Sequence, residues 1–332
     1  MNLNEHLERA RSLARRKGHG RVTAVHMLLS LSNVAEVQQR MADAGYSLAR
    51  LDRLMRDALA AEPEGRGYRD APEPIIDGAL EPVLAAYVTE LAVFDTLIAP
   101  FAPELAFDET PLRRFWEETA GATSASGHRR GLVEHALYVL ARRATDDGRF
   151  AGALATLGVD RRDFRHRIAE RIAAVTQSAP VGSYLDLRYR AIAHANATMR
   201  DVLGTEALVV DLLRAAPARR ALEAVGLSAH ALLFSYVHGA VEAPIPILAG
   251  PADVVFYGDD FTPTETLAGV LTKYFGQPPA SAFGMAQTVR QDGHGFLRVP
   301  DGRPAGNTVA VARAELAGQG MPLRIELRPP AR

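Results

Sequence analysis

Two adjacent acids, Asp259 and Asp260, stand in the stretch "VVFYGDDFTP" (254–263), where a strand-like run meets the start of a helix. Carboxylates in such a turn can cap the first N–H groups of the helix, hold a cation, or accept from a ligand's ammonium group. Asp260 reads as a helix-proximal charge favoured by the helix dipole. Asp259 is therefore the acid with chemistry to explain. No other constellation competes with it. Ten histidines are present, but no H-E-x-x-H. His128 and His135 lie seven apart, where they can share a face, and His294 in "DGHG" reads as solvated, so no metal site and no cofactor are expected. There is no G-x-x-x-x-G-K-[ST], hence no expected ATP hydrolysis, and no G-x-S-x-G. No nucleophile–base spacing supports a hydrolase, so the chain is expected not to be an enzyme. The basic run "RRKGHGR" (15–21) can touch phosphate, but one short run in a chain of net charge −1 reads as a solvated helix end. Nucleic acid is not an expected partner.

The elements that position these residues follow from composition and periodicity. At 332 residues, with 48% hydrophobic and 23% charged residues, the chain can bury substantial cores and is not wholesale disordered. Zero cysteines exclude disulfides, thiolate nucleophiles and Cys-based zinc sites. No window approaches about 18 uninterrupted apolar residues, and "MNLNEHLERARSLARRKG" is charged and amphipathic, so a soluble cytoplasmic protein without membrane association is expected.

The first ~240 residues read as almost wholly helical, with Leu3, Leu7, Ala10 and Leu13 forming one stripe at helical spacing. Proline and glycine mark breaks at 61–74, 98–111, 178–183 and 242–251, the last a short, stiff tether. Three segments resemble one another: "RVTAVHMLLSL…MADAGYSLARLDRLM", "RGLVEHALYVL…LATLGVDRRDFRHRI" and "VLGTEALVVDLL…LEAVGLSAHALLF". In each, a helix closes on a glycine (Gly45, Gly158, Gly226) suited to the left-handed conformation. A polar residue (Ser47, Asp160, Ser228) then caps the next helix. The spacing predicts internal repeats over 1–60, 75–177 (with a hairpin inserted at 75–120) and 184–241.

"LVEHALYVLARR" with "LGVDRRDFRHRI" resembles the N-terminal domain of the Clp and ClpB AAA+ unfoldases, a pair of helical repeats. The resemblance covers roughly residues 1–241. It is loosest where Val25 stands in place of the usual Glu, and three repeats depart from the usual two.

After the 242–251 linker the pattern changes. "ADVVFYG", "HGFLRV" and "PLRIELRP" read as strands. "TPTETLAGVLTKYFG", the segment from Pro279 to Gly293, and "NTVAVARAELAGQG" read as helices. Thr262 is expected as the N-cap of the first helix, with Pro263 at its first position and Glu265 completing a capping box. The order β-α-α-β-α-β over 252–328 implies a small antiparallel sheet covered by helices on one face, so the fold class is mostly α followed by a small α+β domain.

This order, with "DDFTP" between the first strand and first helix, resembles the ClpS family of Clp-protease adaptors, which bind the α-ammonium of a protein's first residue and seat its side chain in an apolar pocket. Carried over position by position, the resemblance keeps Asp259 as acceptor, replaces an Asn by Gly258 and a His by Arg290, and puts Thr264, Ala286, Val289 and Leu323 around the pocket. Small residues at 264 and 286 imply a wider, more polar pocket. Arg303 and Thr308 fall where the family's docking face carries Glu and Lys. Three arrangements are open: an Asp259–Arg290 salt bridge without an amine site, a rewired site whose Arg290 attracts acidic groups, and an unchanged amine receptor.

Together the resemblances imply a non-enzymatic adaptor or regulator of Clp-type proteolysis. Its implied partners are an AAA+ Clp unfoldase, protein substrates engaged through peptide termini, or both. The two parts are expected to dock on each other within the chain. The alternative is a scaffold of a secretion or defence system that reuses both folds.

Overall fold

The computed structural model describes residues 3–61, 73–87, 89–142, 148–174 and 180–330. Most of the predicted break at 61–74, the last residues of the 75–177 segment and the start of the 178–183 break lie outside the described residues. The chain divides into two compact units, Met1–Leu112 with Tyr184–Gly204, and Arg113–Ser183 with Thr205–Arg332.

In the first unit, helices Leu3–Arg16, Ala24–Leu31, Ala35–Ala44 and Leu48–Ala61 close around Met27, Leu28, Leu31, Met41, Leu51 and Met55, all essentially inaccessible to solvent. The buried stripe of the first helix is His6, Ala10 and Ala14 rather than the leucines of the predicted stripe, of which Leu3 and Leu7 pack only at the edge. Polar bonding causes the rotation. His6 Nδ1 reaches Ser30 at 3.2 Å, and Ser30 Oγ donates to His6 O at 2.9 Å. The two alanines let the Ala24–Leu31 helix approach. Strands β1 (Arg21–Val22) and β2 (Ile75–Ile76) pair in parallel.

The predicted 75–177 and 184–241 segments are divided in the folded chain. Val93, Phe94, Leu97, Ile98 and Leu105 complete the core of the first unit. Residues 184–204 join it through Asn196, whose Oδ1 accepts from Leu48 N (2.9 Å) and whose Nδ2 donates to Tyr46 O (3.2 Å). Arg188 with Glu109 (2.7 Å) and Arg53 with Asp201 (2.9 Å) add ion pairs. Polar side-chain pairs such as these leave no hydrophobic period to read.

The second unit packs helices Val133–Arg142, Arg149–Thr156, Arg161–Ala174, Glu206–Arg214, Ala216–Ala224 and Ala229–His238. Phe150, Phe164, Ile168, Leu232 and Phe234 are buried among them. Helix punctuation follows the spacing in both units. Gly45, Gly158 and Gly226 take φ of 72°, 69° and 76°. Ser47 accepts from Arg50 N, Asp160 from Arg162 N and Asp163 N, and Ser228 from Ala231 N.

The same unit ends in β3 (Ala252–Tyr257), helices Thr264–Phe275 and Pro279–Asp292, β4 (His294–Val299), helix Gly302–Gly318 and β5 (Arg324–Arg328). The sheet order is β4-β3-β5, antiparallel throughout, with Val254 opposite both Leu297 and Leu327. Its inner face (Ala252, Val254, Phe256, Ile325, Leu327) buries against Leu267, Leu271, Val309, Ala312 and Leu316. The outer face is ionic. Arg298 grips Asp253 through two bonds of 2.8 and 3.0 Å, and Tyr257 Oη donates to Glu326 at 3.3 Å. Asp253 is only 4% exposed. Arg298→Ala is therefore expected to lower the urea midpoint of this unit, because it takes a charged partner from a nearly buried carboxylate.

The 242–251 segment is not a loose tether. Ile245 and Leu248 pack on the C-terminal core, Gly302 N donates to Gly250 O (2.8 Å), and Arg313 donates to Ala243 O (2.7 Å). A Cβ on Gly302 would lie 2.7 Å from Leu248 Cβ, so glycine at the helix start makes this packing feasible. Among the described residues no helix is long and apolar enough to cross a membrane.

Candidate functional site

The end of β3, the start of the Thr264–Phe275 helix, the last turns of the Pro279–Asp292 helix and the residue before β5 converge on one cavity. Its lining contains all seven residues carried over from the sequence, Gly258, Asp259, Thr264, Ala286, Val289, Arg290 and Leu323, together with Thr262 and Leu267. Leu267, Ala286, Val289 and Leu323 form a buried apolar wall, Thr264 and Asp259 are half-buried, and Arg290 is exposed.

The cavity is narrow, not wide. The recess opens to solvent, and its free volume is about 10 Å³, room for roughly one water molecule. The cause is backbone approach. Gly258 N donates to Gly293 O at 2.8 Å, and a Cβ at Gly258 would stand 2.5 Å from Val289 O. A Cβ at Gly295 would meet Val289 Cγ2 at 2.7 Å. The small residues at 264 and 286 therefore do not open a wide recess, because main chain closes in at Gly258.

Asp259 is organised by its own turn. Oδ1 accepts from Phe261 N (2.8 Å) and Thr262 N (2.6 Å), and Oδ2 accepts from Thr262 Oγ1 (2.8 Å). This corrects the expected capping of the next helix. Thr262 is committed to Asp259, the helix begins at Thr264, and Pro263 occupies the cap position with no side-chain cap bond. A carboxylate has about four lone-pair directions, so the three bonds fix the acid without exhausting its acceptor capacity. Arg303 is exposed, and Thr308 Oγ1 donates back to Pro304 O (3.0 Å).

Two residues outside the resemblance brace the rim. Arg214, at the end of the Glu206–Arg214 helix, donates from Nε to Gly320 O (2.9 Å) and from Nη2 to Phe261 O (3.0 Å). One guanidinium therefore joins the loop holding Asp259 to the loop leading into Leu323. Burial lowers its pKa, opposed by Asp211 and Asp259. His238, ending the Ala229–His238 helix, meets Pro322 O through Nε2 at 2.5 Å and stacks near Phe234 with ring centroids 4.7 Å apart. Burial lowers its pKa too, against the Pro322 carbonyl and Asp259. The only sequence signal for either was its place at a helix end.

A second pattern recurs in both units. His19 and His26 lie with Nδ1 and Nε2 3.0 Å apart, and His128 and His135 repeat the geometry at 3.2 Å. The rings meet edge-on at 82° and 81°. Thr23 N donates to His26 Nδ1 and Leu132 N to His135 Nδ1, which places the neutral ring's proton on Nε2, facing the partner histidine. Burial and then His128 lower the pKa of His135. Burial also lowers those of His230 and His238. For each group the unfolded chain takes up the proton first. Stability is expected to fall as pH drops below about 6.5 and to level off below the folded values. Urea midpoints at pH 7.5 and 5.5 check this, with a smaller difference in His135→Gln. Among the described residues no group of three or more His, Asp or Glu is placed to hold a metal ion.

Residues 1–86 match the family model described as the Clp repeat (R) N-terminal domain. No curated protein matches the chain.

Proposed function

We propose that this protein is a non-enzymatic binding component of Clp-type AAA+ proteolysis, holding the amino terminus of a polypeptide at its C-terminal module. The match of residues 1–86 supports association with a Clp-type unfoldase. The observation that carries the rest is the cavity at the tip of a β-α-α-β-α-β module resembling ClpS, where one carboxylate, fixed by three hydrogen bonds, sits over an apolar recess. An ammonium group has three donors, and a charge-assisted bond to a carboxylate contributes roughly 1.5–3 kcal/mol. On this reading the module binds and orients a terminus and carries out no reaction.

A second reading, a scaffold whose acid serves only its turn, is favoured by the same three bonds to Asp259 and by the bracing from Arg214. Degradation of a client with a free amino terminus by a Clp unfoldase–protease pair separates the two. Addition of this protein is expected to change the rate several-fold and to leave an amino-acetylated client unaffected. Equal rates with and without it for both clients would exclude the adaptor role.

A further inference from the structure

From the cavity's dimensions we infer that the polypeptide ends it accepts begin with a small residue, alanine or serine, and that bulky aliphatic and aromatic first residues are rejected. The inference rests on the reading of the cavity as a seat for an amino terminus. A free volume of about 10 Å³ takes a methyl or hydroxymethyl group in place of one water. A leucine or phenylalanine side chain needs several times that space.

The walls are poorly able to yield. Leu267, Ala286, Val289 and Leu323 are each no more than 4% exposed. Val289 is held from two sides, its carbonyl against Gly258 and its Cγ2 against Gly295. Gly258 is tied to Gly293 by a 2.8 Å backbone bond. The rim is fastened as well, since Arg214 joins the Phe261 and Gly320 carbonyls and His238 contacts Pro322 O. Enlarging the recess would shift main chain as well as side chains, and packed interiors resist that. Thr264, half-buried, also lines the recess and brings a hydroxyl-bearing side chain to it, which suits serine as well as alanine.

The test is fluorescence anisotropy of the full chain with labelled dodecapeptides that differ only at the first residue (Ala, Ser, Val, Leu, Phe), each with a free and an acetylated terminus. Free Ala and Ser peptides are expected to bind about tenfold or more tightly than Leu and Phe. Thr264→Ala, which opens the recess, is expected to narrow that gap, and Ala286→Leu, which fills it, to abolish binding. Circular dichroism checks that each variant folds, and if Ala286→Leu does not, Thr264→Ala carries the test. Free Leu or Phe peptides binding as well as Ala, with acetylation still blocking binding, would overturn the size rule and leave the amino-terminus reading standing. Equal binding of free and acetylated peptides, or none at all, would overturn both.

Discussion

Asparagine placed at position 258 is expected to destabilise the C-terminal module by about 3 kcal/mol. The clash is with main chain, not with a movable side chain. Any Cβ there would stand 2.5 Å from Val289 O, closer than real Cβ atoms come. Relief would require drawing the last turn of the Pro279–Asp292 helix away from β3, which costs the 2.8 Å bond from Gly258 N to Gly293 O and opens the apolar wall at Val289. Alanine should cost nearly as much, because the Cβ is the offending atom. Urea denaturation followed at several wavelengths checks both variants. A loss under 1 kcal/mol would mean that the two segments part easily and that the cavity is not held narrow.

Arg214→Ala has the second-largest expected effect, again about 3 kcal/mol, with a functional consequence. The guanidinium is half-buried and donates to two carbonyls on different loops, with a further contact to Met321 Sδ at 3.6 Å. Removing it takes away the shared donor of both carbonyls, and hydrogen bonds to a charged group contribute about 1.5–3 kcal/mol each. Its stem also packs on Gly320, where a Cβ would approach Arg214 Cγ to 3.1 Å, so packing is lost with the charge. Lysine should recover little of the stability, since one ammonium lacks the fork that spans both loops. Hydrogen exchange is the decisive readout. Amides of 259–262 and 320–323 are expected to exchange faster in Arg214→Ala, while those at the centre of β3 stay protected.

Much of this was legible in the residues because single-residue conformational demands leave strong marks. Left-handed glycines at 45, 158 and 226, the polar caps after them, and the alternation along β4 are local rules, and local rules can be read without tertiary knowledge. The residues that line the cavity were named only through the family resemblance, position by position, and not through any local rule. What failed to show was set by which of several available partners a polar group takes, near or far in sequence. Thr262 has every property of a helix cap, yet Asp259 three residues earlier captures both its N–H and its hydroxyl. Small residues at 264 and 286 suggested a wide recess, because nothing in a linear reading registers the backbone moving into the space beside Gly258. The grouping of 184–204 with the first unit rests on Asn196, Arg188 and Asp201, polar residues whose partners lie more than 70 positions away. Arg214 and His238 were unreadable for the same reason, since their partners are carbonyls, which every residue possesses.

The most direct measurement is the heat of binding of an alanine-initiated peptide to the full chain by titration calorimetry, with the terminus free and acetylated, in the native protein and in Asp259→Asn. The account predicts saturable binding for the free terminus alone, weakened at least tenfold by the substitution while the fold persists. Undiminished binding to Asp259→Asn, or equal heats for the acetylated peptide, would contradict it.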